Sequence, residues 1–202
     1  MLPSMFVDYR PLLKSCGEGV RINDLVKMVQ PEVIEIGAGT RLCDSVFLLG
    51  GNGLKIGQKC DLQPGVVVWG GGSCEIGDRV SVGANTVILT GEYEMGTAEA
   101  PLFMVDFEEP HQATYAGVSV PPTRIDSDAY IGCNVSIRRG VHVGQGAVIG
   151  MGGVVNRDIP PWEIWVGNPA RKIKDRPRIP CLCADPEHSP FGGVLPGEDT
   201  LS

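Results

Sequence analysis

Aliphatic residues recur along this chain with a period of six. Ile36, Leu42 and Leu48 open the pattern, followed by Ile56, Leu62 and Val68, and then by Ile76, Val82 and Ile88. After a break it resumes at Ile125, Ile131 and Ile137, then at Val143, Ile149 and Val155. A helix repeats near 3.6 residues and a half-buried strand every two, so a period of six requires another architecture. Hexapeptide repeats build a parallel β-helix, in which each short strand sends one aliphatic side chain into a narrow core. Gly37, Gly57, Gly77, Gly83, Gly132, Gly144 and Gly150 each follow an aliphatic at once, as sharp corners require. Three hexads make one turn, so Ile125 is expected to stack on Val143, 18 residues on. Ile36, Ile56 and Ile76 lie 20 apart, which predicts three hexads plus a two-residue bulge at a corner. An antiparallel sandwich fits poorly, because its turns come at about 8–12-residue spacing.

The pattern divides the chain. Residues 1–31 are read as a preamble, within which GEGVRINDL begins to coil. Coils occupy 32–90, periodicity stops over 91–124, and coils with a C-terminal cap occupy 125–176. Residues 177–202 read as a polar, Pro/Gly-rich tail. A long insertion in a compact domain is usually functional, and Phe103, Phe107 and Tyr115 argue against a disordered one. Pro160 and Pro161 cannot donate ladder hydrogen bonds and mark the end of the coil, with Trp162 and Trp165 as capping side chains. Flat β faces are sticky unless covered, so a closed homo-oligomer is expected.

Composition changes this picture little. The 202 residues suit one all-β domain, and 28 Gly and 16 Pro suit many turns. A net charge of −7 argues against nucleic acid as a partner. No secretory signal opens the chain and no 18-residue apolar run occurs, so the expectation is a cytoplasmic protein without membrane insertion. Seven irregularly spaced Cys read as reduced thiols. No metal site is expected, since Cys181, Cys183 and His188 match no zinc spacing.

The stretch VGQGAVIGMGGVVNRDIPPWEIWVGNPARKIK, with IPPW followed by VGNPA, resembles the hexapeptide-repeat acyltransferases. CGEGVRINDL, PEVIEIGAGTRL and FLLGGNGLKIG resemble the early coils of the bacterial surface-polysaccharide sugar O- and N-acetyltransferases within that family. The resemblance spans roughly residues 17–176. It implies a left-handed β-helix, a homotrimer, acetyl-CoA or another acyl-CoA as co-substrate, and a sugar or nucleotide-linked amino sugar as acceptor. It also implies that Gly150, Gly152 and Gly153 line the CoA groove, with Asn168 closing its far end. Arg171, Lys172 and Lys174 are then the basic residues placed for the phosphates.

Acyl transfer to a hydroxyl needs a base near the acceptor and donors for the oxyanion. Many members of the family carry a base His after a Thr-Gly or Ser-Gly pair, whereas this chain reads Thr90-Gly91-Glu92-Tyr93-Glu94. Three readings follow. The acceptor is an amine, held by Glu92 or Glu94; or another His, His142 or His111, supplies the base; or the chain has lost catalysis and binds a ligand or scaffolds a complex. Counting hexads puts Tyr93 and His142 at equivalent corners, stacked about 4.8 Å apart. The combined expectation is that Glu92 or Glu94 holds the acceptor and His142 or His111 handles the proton.

Overall fold

A computed structural model describes residues 7–91 and 121–177. Over these the chain winds into a left-handed parallel β-helix of six turns, each of three short strands. The turns are β1 (Ser15–Cys16), β2 (Arg21–Ile22), β3 (Lys27–Val29); β4 (Ile34–Ile36), β5 (Arg41–Leu42), β6 (Phe47–Leu49); β7 (Leu54–Ile56), β8 (Asp61–Leu62), β9 (Val67–Trp69). They continue as β10 (Cys74–Ile76), β11 (Ser81–Val82), β12 (Val87–Leu89); β13 (Thr123–Ile125), β14 (Tyr130–Ile131), β15 (Ser136–Ile137); β16 (His142–Val143), β17 (Val148–Ile149), β18 (Val154–Val155). The first strands of all turns form one face, β1-β4-β7-β10-β13-β16, and the third strands another, β3 to β18. The second strands form the middle face, extended by an antiparallel cap of β19 (Glu163–Val166) and β20 (Arg171–Asp175). The coil begins at Ser15, so a complete turn lies inside the 31 residues read as a preamble.

The stacking read from the hexads holds. Ile36, Ile56 and Ile76 are in register, and Ile125 pairs with Val143. The two extra residues of the early turns fall at the third corner, between Leu49 and Leu54 and between Trp69 and Cys74. The insertion leaves from that same corner, after Leu89, and returns at Thr123 with Ile76 and Ile125 still in register. Its stem is tied by side chains: Thr123 Oγ1 donates to the Leu89 carbonyl at 2.7 Å and accepts from Gly140 N–H at 2.9 Å.

Each hexad in fact buries two side chains, not one. A second residue two positions before the aliphatic also points inward, as at Thr40, Cys60, Val80, Ala129 and Ala147 on the middle face. Alternation along a strand places both on the same side. Buried hydroxyls need partners. Thr40 Oγ1 donates to the Gly57 carbonyl at 2.7 Å and accepts from Cys60 N–H at 3.0 Å. Thr86 repeats this with Gly132 and Val135. The Gly corners are enforced by crowding: a Cβ on Gly57 would lie 2.5 Å from the Gly77 carbonyl of the next turn. Cys74, fully enclosed, has its thiol pushed up to about 12 by burial and is inert.

Candidate active site

Every outward side chain on a strand stacks on its equivalents one turn above and below, so a face carries columns. On the first face one column reads Glu35, Lys55, Glu75, Arg124, His142. Charge alternates along it, which avoids like charges one strand apart. Glu75 pairs with Arg124 at 3.2 Å, and Lys14 with Glu35 at 2.8 Å. A groove of about 350 Å³ runs along this face, lined by Lys55, Glu75, Arg124, Asp126, Ser127 and Gln145 among others.

His142 opens β16 and is about half exposed. Its Nε2 lies 2.8 Å from Asp126 Oδ2. Its main-chain N–H donates to Asp158 Oδ1 at 2.8 Å, and its carbonyl accepts from Ile159 N–H at 2.9 Å. The corner position expected for His142 is therefore corrected. Hexad counting took the sixth residue as a corner, but the residue just before the core aliphatic is already in the strand, so His142 pairs with Arg124. Asp126 was not anticipated, although a signal existed. Gly17, Gly37, Gly57, Gly77 and Gly144 all follow the first-face strands, and Asp126 alone breaks that column.

Glu92, Tyr93, Glu94 and His111 lie outside the described residues, as do Cys181, Cys183 and His188. Gly150, Gly152 and Gly153 form the second corner of the last turn, between β17 and β18. Their N–H groups are used within the coil, bonding the carbonyls of Trp165, Cys133 and Gly150. That corner joins the middle and third faces, whereas His142 lies on the first, so one protomer does not bring them together. Asn168 is exposed in the turn between β19 and β20. Arg171, Lys172 and Lys174 are exposed on β20. Arg171 donates to the Ala170 carbonyl at 2.8 Å, and Lys172 is held by Glu163 and Asp175, each at 2.7 Å. The Lys172 ammonium, followed by the Trp165 N–H, holds the Glu163 carboxyl below its ordinary value. Trp165 is buried on the end of the core. Among the described residues no three metal-ligating side chains gather, and no helix is long and apolar enough to cross a membrane.

Residues 122–157 match the hexapeptide repeat of succinyl-transferase. With the fold and this repeat, the chain is a hexapeptide-repeat β-helix, similar over residues 122–157 to the acyltransferases that carry the same repeat. Among solved structures it is similar to AntD, an N-acyltransferase from Bacillus cereus, at 25% identity and a TM-score of 0.70, covering 88% of this chain and 93% of that one. That enzyme was solved with dTDP-4-amino-4,6-dideoxyglucose and coenzyme A. A Schizosaccharomyces pombe protein named as an acetyltransferase is 37% identical over 95 residues, covering 47% of this chain and 42% of that one. The bifunctional protein GlmU of Rubrobacter xylanophilus is 46% identical over 65 residues, covering 32% of this chain and 14% of that one. The chain thus spans less than half the length of these curated relatives.

Proposed function

We propose that this chain transfers an acyl group, acetyl in the first instance, from acyl-CoA to the amine of a nucleotide-linked amino sugar. The reaction is cytoplasmic and serves bacterial surface-polysaccharide synthesis. The observation that carries the reading is the likeness to AntD along nearly the whole of both chains, since that enzyme is an N-acyltransferase holding an amino sugar nucleotide and CoA. An amine acceptor also accounts for the missing His after Gly91, because a deprotonated amine is a stronger nucleophile than a hydroxyl. In the proposed reaction the amine nitrogen attacks the thioester carbonyl, the C–S bond breaks and CoA leaves as its thiol. His142, or His111 from the insertion, takes the proton, and Glu92 or Glu94 beside Tyr93 holds the acceptor. Gly150, Gly152, Gly153 and Asn168 line the pantetheine arm, while Arg171, Lys174 and Lys172 face the phosphates.

The working unit is a homotrimer. The face of third strands carries an outward apolar row of Val29, Leu49, Trp69 and Leu89, beside Phe47, Val67 and Val87. Phe47 and Trp69 pack with ring centroids 5.6 Å apart. Covering this face with copies of the chain would bring the glycine corner of one protomer toward the first face of another, joining the groups one protomer keeps apart. The test is release of CoA thiol from acetyl-CoA against nucleotide-linked amino sugars and their hydroxyl counterparts. Release with an amino sugar alone is the expected result. Release with hydroxyl sugars alone would overturn the amine reading, and no release on any acceptor together with no CoA binding would point to a ligand-binding or scaffolding protein.

A further inference from the structure

We propose that Asp126 is a positioning residue for His142, holding the imidazole as its Nε2–H tautomer so that Nδ1 is the nitrogen that accepts the acceptor's proton. The inference rests on the acyl-transfer reading for its consequence, but on geometry for its premise.

Three observations converge. The first-face corner column is glycine at Gly17, Gly37, Gly57, Gly77 and Gly144, and the single side chain in it is the Asp126 carboxylate. That carboxylate lines the groove and meets His142 Nε2 at 2.8 Å. The His142 main chain is itself pinned, by Asp158 at its N–H and by Ile159 at its carbonyl. A fixed main chain and a fixed ring edge leave the imidazole little freedom.

The tautomer follows from donor and acceptor capacity. A carboxylate only accepts, so a neutral imidazole bonded to it through Nε2 carries its proton there and bares the lone pair of Nδ1. When the amine attacks the thioester carbonyl, Nδ1 takes the proton from nitrogen. The ring becomes imidazolium with the Asp126 carboxylate at its Nε2–H and Arg124 on the adjacent strand. As the C–S bond breaks, the same proton passes from Nδ1 to the departing sulfur. Proton and charge balance without a further reactant.

The experiment has one arm that needs no substrate. In nitrogen-15-labelled protein at about pH 9, where an ordinary imidazole is neutral, the His142 ring signals are assigned by their loss in His142→Gln. The expected result is a bare Nδ1 and a protonated Nε2, with both signals drawn toward a shared average in Asp126→Asn. Ring signals already averaged in the native chain, or unchanged in Asp126→Asn, would overturn the proposal whether or not an acceptor has been found. In the kinetic arm, Asp126→Asn should lower kcat at least about tenfold with KM for acyl-CoA unchanged, and Asp126→Glu should recover part of it. Full kcat in Asp126→Asn despite a lost tautomer preference would also overturn it. Absence of thiol release from the native chain would instead count against acyl transfer and leave the ring signals to decide.

Discussion

At the residue scale, the corners between the first and middle faces combine tight packing with fixed charge. Lys59, Arg79 and Asp128 follow one another in that corner column, all at positive φ, a conformation easiest for glycine. Two of these side chains pair with each other: Arg79 grips Asp128 at 2.7 and 3.0 Å, and Gln145 adds a bond at 3.2 Å. The Arg79 guanidinium, then Gln145, holds the Asp128 carboxyl below the ordinary value of 3.8. A depressed carboxyl favours the folded state wherever it is ionised. Its stabilisation is therefore present above the unfolded value and drains as pH falls through the folded one. The pair is partly exposed, so Asp128→Asn should cost no more than about 1 kcal/mol at pH 7. Thermal unfolding from pH 7 down to about pH 3 should show native and variant melting temperatures converging. A gap that widens on acidification would contradict the assignment.

At the element scale, the coil and the insertion are separable. The insertion leaves and returns at a corner already enlarged by two residues, and the turns on either side keep their register across it. Replacing residues 92–120 with a short Gly/Ser linker should preserve the β-sheet circular dichroism and cooperative unfolding of the coil. It should also remove CoA thiol release, because the carboxylates proposed to hold the acceptor lie there. Full turnover in the excised chain would send the search for acceptor contacts to the groove beside Glu75 and Arg124. The cap is a different kind of element. Arg176 donates to the carbonyls of Asp128 and Gly146 at 3.0 and 2.9 Å and lies over the Trp162 ring, tying the end of the described chain back onto earlier turns.

At the scale of the whole molecule, the three faces differ in what they offer. The first alternates charge, the middle one is polar in its early turns, with Arg41 and Asp61 paired at 2.8 Å, and the third is apolar across β6, β9 and β12. Only the third calls for a covering surface. Trp69→Glu together with Leu89→Glu should therefore convert the proposed homotrimer to monomers in sedimentation equilibrium while leaving the coil folded, since neither side chain belongs to the buried core. Turnover should be lost with the assembly if the site spans two protomers. A trimer that survives both substitutions would place the interface elsewhere.

What the sequence determined by itself is the coil. A period of six admits few solutions, and its aliphatic and glycine positions set turn length, register and the place of the insertion, because a stacked repeat makes only near-neighbour contacts. Ile125 over Val143 and the 20-residue spacing of Ile36, Ile56 and Ile76 were legible for that reason. The site was half legible. His142 stood out as one of only three His, and Gly150, Gly152 and Gly153 by resemblance. Their relation did not, because which strand a residue occupies depends on where each corner bends. The tertiary structure decided that His142 lies on a strand beside Arg124, that Asp126 reaches it from the turn above, and that the glycine corner joins the middle and third faces. A carboxylate 16 residues away in sequence becomes a neighbour only once a turn of the coil has closed.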